Sequence, residues 1–159
     1  MSELFHFTMT RLGVGSVIQP GNWGRLLRRY ENDTTPGRNL FGNVWILARE
    51  LTFENVRLRE FSSLPSRWGC SYSLTTEADA RAYQQRTDPQ QAQVLHKVQL
   101  VDASLPSHIG AIDMTNYPPP CVSFIETTEH RSRMYWSGQG DGLTELLSLS
   151  PLKIVECLD

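Results

Sequence analysis

Residues 70–82 read CSYSLT and then TEADARA, and the change of period between the two halves decides the fold class. The first half reads as a strand. Thr76 then supplies a helix N-cap, with Glu77 and Asp79 in the first turn where negative charge is favoured, and Ala78, Ala80 and Ala82 carry the helix to about Arg86. A parallel α/β protein would repeat such a unit along the chain; this sequence does not, and its other predicted strands surround two or three helices without a βαβ series. The pattern is that of an α+β fold.

Downstream, residues 94–101 (VLHKVQLV) read as a strand by alternation and β-branched content. Residues 105–120 contain the triple proline 118–120 and predict little regular structure beyond a short extended piece near 109–112. In CVSFI (121–125), Val122 and Phe124 stand two apart, which suits a short strand, although so short an apolar run could equally open a helix. The charged stretch behind it, with Met134 and Trp136 near its end, predicts a helix that stops before the glycine loop SGQGDG (137–142). Two last strands are predicted at 143–147 and 152–158, with Pro151 between them.

Upstream, Leu4–Thr8 (LFHFT) predicts a strand with His6 and Thr8 on one face and Phe5 and Phe7 on the other. Residues 12–25 hold four glycines and one proline and predict an ordered loop. From Asn39 the pattern turns helical: Leu40, Phe41, Val44, Trp45, Ala48 and Leu51 form one apolar stripe, read as core, with Arg49 and Glu50 off it. A second helical stretch around Phe53, Val56 and Phe61 is expected to end at the turn Ser62-Ser63-Leu64-Pro65.

A chain of 159 residues predicts a single domain able to bury one core, and 40% hydrophobic with 20% charged residues excludes collagen, coiled coil and wholesale disorder. A net charge of −2 excludes a protein that coats nucleic acid through bulk charge. Cys70, Cys121 and Cys157 form no CxxC pair, and their odd number argues against a disulfide framework and for a reducing cytoplasm. Glu3 and His6 stand where a signal peptide would need a basic region and an apolar run, and no stretch approaches the roughly 18 apolar residues of a membrane span. The expectation is a cytoplasmic protein with no membrane partner.

His6, His96, His108 and His130 show no HxH or HxxxH spacing and have no nearby cysteine, so no metal is expected. Cys70 or Cys121 could serve as a thiol nucleophile, but a lone cysteine in a strand is far more often a small buried hydrophobe. The glycine run GQGDG (138–142) lacks the lysine and the long helix of a phosphate loop. What remains is an order of elements: a first strand bearing His6 (FHFT), a middle strand bearing Tyr72 that leads into an alanine-rich helix, and a glycine loop before a strand bearing Glu145 (TELLSL).

That order resembles the ADP-ribosyltransferase superfamily, in its histidine–tyrosine–glutamate branch, and the opening FHFT is similar to small bacterial toxin-like members and to RNA 2′-phosphotransferases. The fuller pattern of FHFT, PGNWGR and FENVRLREF running into LPSR resembles a bacterial family of uncharacterised domains attached to the same superfamily. The resemblance implies two small antiparallel sheets, split about the site and flanked by two or three helices. It implies NAD as substrate, no metal, release of nicotinamide, and transfer of ADP-ribose to a macromolecular acceptor, nucleic acid or protein. Carried over, His6 would hydrogen-bond the adenosine ribose with help from Thr8, Tyr72 would lie against the nicotinamide ring, and Glu145 would hold the ribose 2′-hydroxyl and stabilise the developing positive charge.

The pyrophosphate also needs donors. Thirteen of the fifteen basic residues are arginine, and residues 25–67 hold eight of them against five acids. Arg25 in the glycine-rich loop and Arg67 before the Tyr72 strand are the candidates for the phosphates, while RLLRR (25–29) reads as a solvated helix face able to meet an acidic target or nucleic acid. Leu143 stands where arginine-modifying toxins carry a second acid or Gln, which counts against protein arginine as the target. The implied role is a bacterial toxin, effector or phage-defence enzyme, acting in the cytoplasm of its maker or of a cell into which it is delivered, with an antitoxin or immunity protein as a possible partner. The alternatives are an RNA 2′-phosphotransferase-like enzyme, a catalytically inactive module that binds NAD or another nucleotide, and a small interaction protein without a ligand. Acceptor specificity is expected on residues 19–37 and 105–120.

Overall fold

The structure is a computed structural model that describes residues 3–29 and 40–159. The expected helix start at Asn39, residues 30–37 of the expected specificity loop, and the side chains of Leu40 and Phe41 lie outside what is described. The strands are β1 (Leu4–Thr8), β2 (Val17–Ile18), β3 (Ser71–Leu74), β4 (Val94–Leu100), β5 (Ser107–Ala111), β6 (Thr144–Ser148) and β7 (Leu152–Cys157). The helices are α1 (Asn22–Leu27), α2 (Leu40–Glu60), α3 (Glu77–Thr87) and α4 (Phe124–Ser137), with a 3-10 turn at Ile112–Thr115.

The α+β class stands, but the two split sheets expected from the resemblance are one. A single seven-stranded sheet runs β2-β7-β4-β1-β3-β6-β5, with every pairing antiparallel. β1 pairs with β4 along its whole length, from Leu4–Val98 to Thr8–Val94, and reaches β3 through one register pair, Phe5 with Leu74. That pair carries the sheet across to β6 and β5. Four α-helices among the described residues also exceed the expected two or three.

The helix behind residues 70–75 forms as its sequence dictates: the Thr76 hydroxyl accepts from the Asp79 amide at 3.0 Å, closing one orphan donor of the first turn. At residues 121–125 the helical alternative prevails, because Ser123 caps α4 through the Glu126 amide at 3.4 Å. Residues 12–25, expected to be a loop, contain β2 and the start of α1.

The two helical stretches expected around residue 52 merge into α2, and the Thr52 hydroxyl bonds back to the Ala48 carbonyl at 2.8 Å without a break. Its core face is not the expected stripe. Val44 and Leu51 are 59% and 50% exposed, whereas Glu50, Phe53, Val56 and Arg57 are buried. The helix is turned by its packing on α4, where the Phe53 and Tyr135 rings meet edge to face at 5.4 Å and the Trp136 indole N–H donates to the Phe53 carbonyl at 3.0 Å. One apolar cluster (Phe53, Val56, Cys70, Tyr135, Trp136, Leu147) lies under these helices, a second (Phe5, Leu74, Ala80, Leu95) lies where α3 meets β1, β3 and β4, and a third joins β1, β4 and β7. None of the described helices is long and apolar enough to cross a membrane.

The ring of Tyr135 rests against Gly110 of β5, where an added Cβ would meet its Cε2 at 2.5 Å. Gly110→Ala is therefore expected to cost about 1–3 kcal/mol in urea denaturation. Gly13→Ala, whose Cβ meets nothing nearer than 3.9 Å, should change stability by less than about 0.5 kcal/mol.

Candidate functional site

Successive side chains of a strand point to opposite faces, yet Phe5, His6 and Phe7 all line one cleft, as do Tyr72, Ser73 and Leu74. Both runs can face it because the cleft opens where β1 and β3 part beyond their single register pair. Its volume is about 340 Å³. His6 spans the gap in place of a backbone ladder: its Nδ1–H donates to the Tyr72 carbonyl at 2.6 Å. A carbonyl only accepts, so the proton sits on Nδ1 and Nε2 of the neutral ring remains an acceptor. Burial holds His6 below its ordinary 6.5, the Tyr72 carbonyl opposing and His96 reinforcing the shift.

The wall of the cleft beside β3 is built on a buried ion network. Arg67, 5% exposed, lies between Glu50 of α2 and Glu145 of β6, both also buried. Its Nε donates to Glu50 Oε2 at 3.1 Å and its Nη1 to Glu145 Oε1 at 2.5 Å. The Tyr135 hydroxyl accepts from Arg67 Nη1 at 2.6 Å and donates to Glu145 Oε1 at 2.7 Å. Arg49 Nη2 completes the set on Glu50 Oε1 at 2.8 Å. Two carboxylates thus balance two guanidinium groups, as burial of charge requires. Burial works to raise the Glu50 pKa, but Arg67 and then Arg49 outweigh it and hold the carboxyl below its ordinary 4.5. Burial likewise pushes the Tyr72 and Tyr135 phenols well up, against the opposing pull of Arg67, so both stay protonated.

His6, Tyr72, Glu145 and Arg67 all reach this cleft, from β1, β3, β6 and the turn before β3. Thr8 and Arg25 are not among its lining residues. The Thr8 hydroxyl donates to the Thr10 carbonyl at 2.6 Å, and Arg25, exposed on α1, bonds the Pro20 carbonyl at 3.2 Å and Asn22 Oδ1. Arg67 is heavily committed: four of its five N–H groups serve Glu50, Tyr135 and Glu145. Among the described residues Glu145 Oε2 accepts no hydrogen bond, which leaves that oxygen for a ligand. Tyr72 presents its ring to the cleft while its hydroxyl donates to the Arg67 carbonyl, and the guanidinium sits 5.3 Å from the ring centroid.

Sequence reading missed Glu50, Arg49, Trp23, Tyr83 and Tyr135. The signal for Glu50 was its spacing from Phe53 and Arg57, a stripe that carries charge and so escapes an apolar count. Trp23 and Ser73 both line the cleft, and the Trp23 Nε1 and Ser73 Oγ are buried without a partner among the described residues. Such orphans cost free energy, about 1–3 kcal/mol each, until something bonds them. Cys70 is no nucleophile: it is 1% exposed and burial pushes its thiol up to about 12, with Arg67 and Arg57 pulling the other way.

Residues 26–159 match the family described as Protein of unknown function (DUF2441). The chain belongs to this family. The match covers α2, both acids of the ion network, Tyr72 and the whole chain from β3 onward, and begins after β1 with His6. No curated protein matches the chain.

Removing one partner from the network leaves charge without compensation. Glu50→Gln is expected to cost about 3–5 kcal/mol at neutral pH, measured by urea denaturation. Because the Glu50 pKa is depressed in the folded state, the unfolded chain binds more protons near and below pH 4.5, so this contribution is present above that value and is lost as pH falls through the folded pKa. The gap between parent and variant should narrow on acidification.

Proposed function

We propose that the cleft binds NAD and cleaves its nicotinamide–ribose bond, passing ADP-ribose to a macromolecular acceptor. The observation that carries this reading is the convergence of His6, Tyr72 and Glu145 from three adjoining strands on one cleft. The orphaned Trp23 Nε1 and Ser73 Oγ support a polar ligand there. The resemblance of FHFT, the Tyr72 strand and TELLSL to ADP-ribosyltransferases supplies the identity of the ligand.

In this reading His6 Nε2 accepts from a ribose hydroxyl, and the Tyr72 ring stacks on nicotinamide. Glu145 Oε2 accepts the 2′-hydroxyl of the nicotinamide ribose and faces the charge that builds as the bond opens. Nicotinamide leaves with the electron pair of the broken C–N bond, the acceptor's lone pair forms the new bond to the anomeric carbon, and the acceptor's proton goes to water. Arg49 is the pyrophosphate donor in place of Arg25 and Arg67. It lines the cleft, and among the described residues its bonds to Glu50 and the Thr115 carbonyl leave two of its five N–H groups over. The cell role that fits is a bacterial toxin, effector or phage-defence enzyme acting in a cytoplasm, with an antitoxin or immunity protein as partner.

A second reading is favoured by the tie of Glu145 Oε1 to Arg67 and Tyr135: a binding module in which Glu145 only neutralises Arg67, so that NAD is bound but not turned over. Nicotinamide release by the purified protein decides between them. Glu145→Gln is expected to lower the rate by roughly 10²–10³ with a melting transition still cooperative. NAD binding in calorimetry without release, or equal rates for parent and variant, overturns the transferase reading.

A further inference from the structure

The chemistry of the acceptor can be drawn from a second groove that continues the cleft. It holds about 280 Å³ and shares Arg49, Tyr83, Ile112 and Thr115 with the first. One wall is an aromatic stack: Trp45 of α2 and Tyr117 lie 3.9 Å apart with 12° between their planes. Arg49 sits 4.9 Å from the Trp45 ring, and Arg86 lies 5.8 Å from the ring of Tyr83, another lining residue. Among the described residues the lining includes two arginines and no carboxylate, although each arginine has an acid partner just outside the groove, Arg86 in Asp113 at 2.5 Å and Arg49 in Glu50 at 2.8 Å. Tyr117 is 60% exposed despite the stack.

Tyr117 is also held firmly. It precedes the triple proline 118–120, which restricts its backbone to extended angles, and Arg131 Nη1 donates to the carbonyls of Asn116 and Tyr117 at 2.8 and 3.1 Å. A large aromatic surface fixed in place yet left in water, beside guanidinium groups and continuous with a site, fits a planar partner carrying anions. Nucleobases have a π face whatever their identity, and phosphates match the arginine fork. A basic peptide finds no unpaired carboxylate among the described lining residues, and an acidic peptide offers charge without a plane to stack.

We propose that this groove is the acceptor subsite and takes a single-stranded nucleic acid, one base stacked on Tyr117 and its phosphates facing Arg86 and Arg49. The assignment as acceptor rests on the reading of the cleft as the NAD site. In the transfer, a nitrogen or oxygen of the neighbouring nucleotide attacks the anomeric carbon as nicotinamide departs with its electron pair, and the displaced proton passes to water.

The test uses the full chain, fluorescently labelled deoxyribo- and ribo-oligonucleotides of about 12 residues, and anisotropy titration without NAD. The two sugars separate DNA from RNA as source. Tyr117→Ala is expected to weaken binding by roughly 5- to 150-fold, the value of one stacked base, while Tyr117→Phe stays within about twofold of the parent because it keeps the ring. An abasic strand of equal charge should bind at least about tenfold more weakly than the intact one. The inference is overturned if the parent binds neither strand, if the abasic strand or polyglutamate binds equally well, or if Tyr117→Ala binds like the parent while remaining folded by circular dichroism. Nicotinamide release by the parent, assayed in parallel without oligonucleotide, reads the NAD assignment by itself. Release without strand binding removes only the acceptor inference; strand binding without release removes the transferase reading and leaves the groove a nucleic-acid site.

Discussion

A guanidinium group shut away from water imposes its needs on everything near it, and Arg67 is that group here. It cannot lose its proton, so its burial demands anions, and the chain delivers them from opposite ends: Glu50 from α2 and Glu145 from β6. Tyr135 of α4 closes the arrangement by accepting from the arginine and donating to Glu145. The helical layer and the sheet are thereby joined by charge-assisted bonds as well as by apolar contact, and both ties end directly beneath the cleft. Glu145 gains a fixed orientation from this, with Oε1 committed and Oε2 left for whatever enters.

The same arrangement decides how the cleft can treat a ligand. Arg67 spends most of its donors on protein acids, so it serves a ligand chiefly through the carboxylate it positions. Polar capacity at the cleft wall comes instead from groups incompletely bonded among the described residues: the Nε2 of His6, the indole N–H of Trp23, the hydroxyl of Ser73 and the remaining N–H groups of Arg49. A site with both spare acceptors and spare donors around aromatic walls suits a sugar–base ligand better than a simple anion.

How much of this could be read from the sequence depended on the period of each element. Strands declare themselves through alternation, so β1, β3, β4, β6 and β7 were legible, and with them the places of His6, Tyr72 and Glu145. The acid partner on α2 was not, because the buried stripe of that helix includes Glu50 and Arg57, and a stripe containing two charges looks like a solvated face to any apolar count. The more apolar stripe is not the buried one, since Val44 and Leu51 on it are exposed. Short polar elements were equally hidden, since neither the two residues of β2 nor the first turn of α1 has room to show a period amid glycines. Whether the strands formed one sheet or two turned on the Phe5–Leu74 pairing, and no local pattern reports a single long-range pair.

That lone pairing also governs how the two flanks of the sheet speak to each other. Strands β7, β4 and β1 are knitted by long ladders, as are β3, β6 and β5, and at the border side chains take over from the backbone: His6 on the Tyr72 carbonyl, and Phe5, Leu74, Ala80 and Leu95 packed together beside α3. Energetic coupling follows shared partners, so a disturbance on one flank reaches the other through this side-chain seam. The cleft opens at that seam, so whatever is seated in it touches both flanks at once.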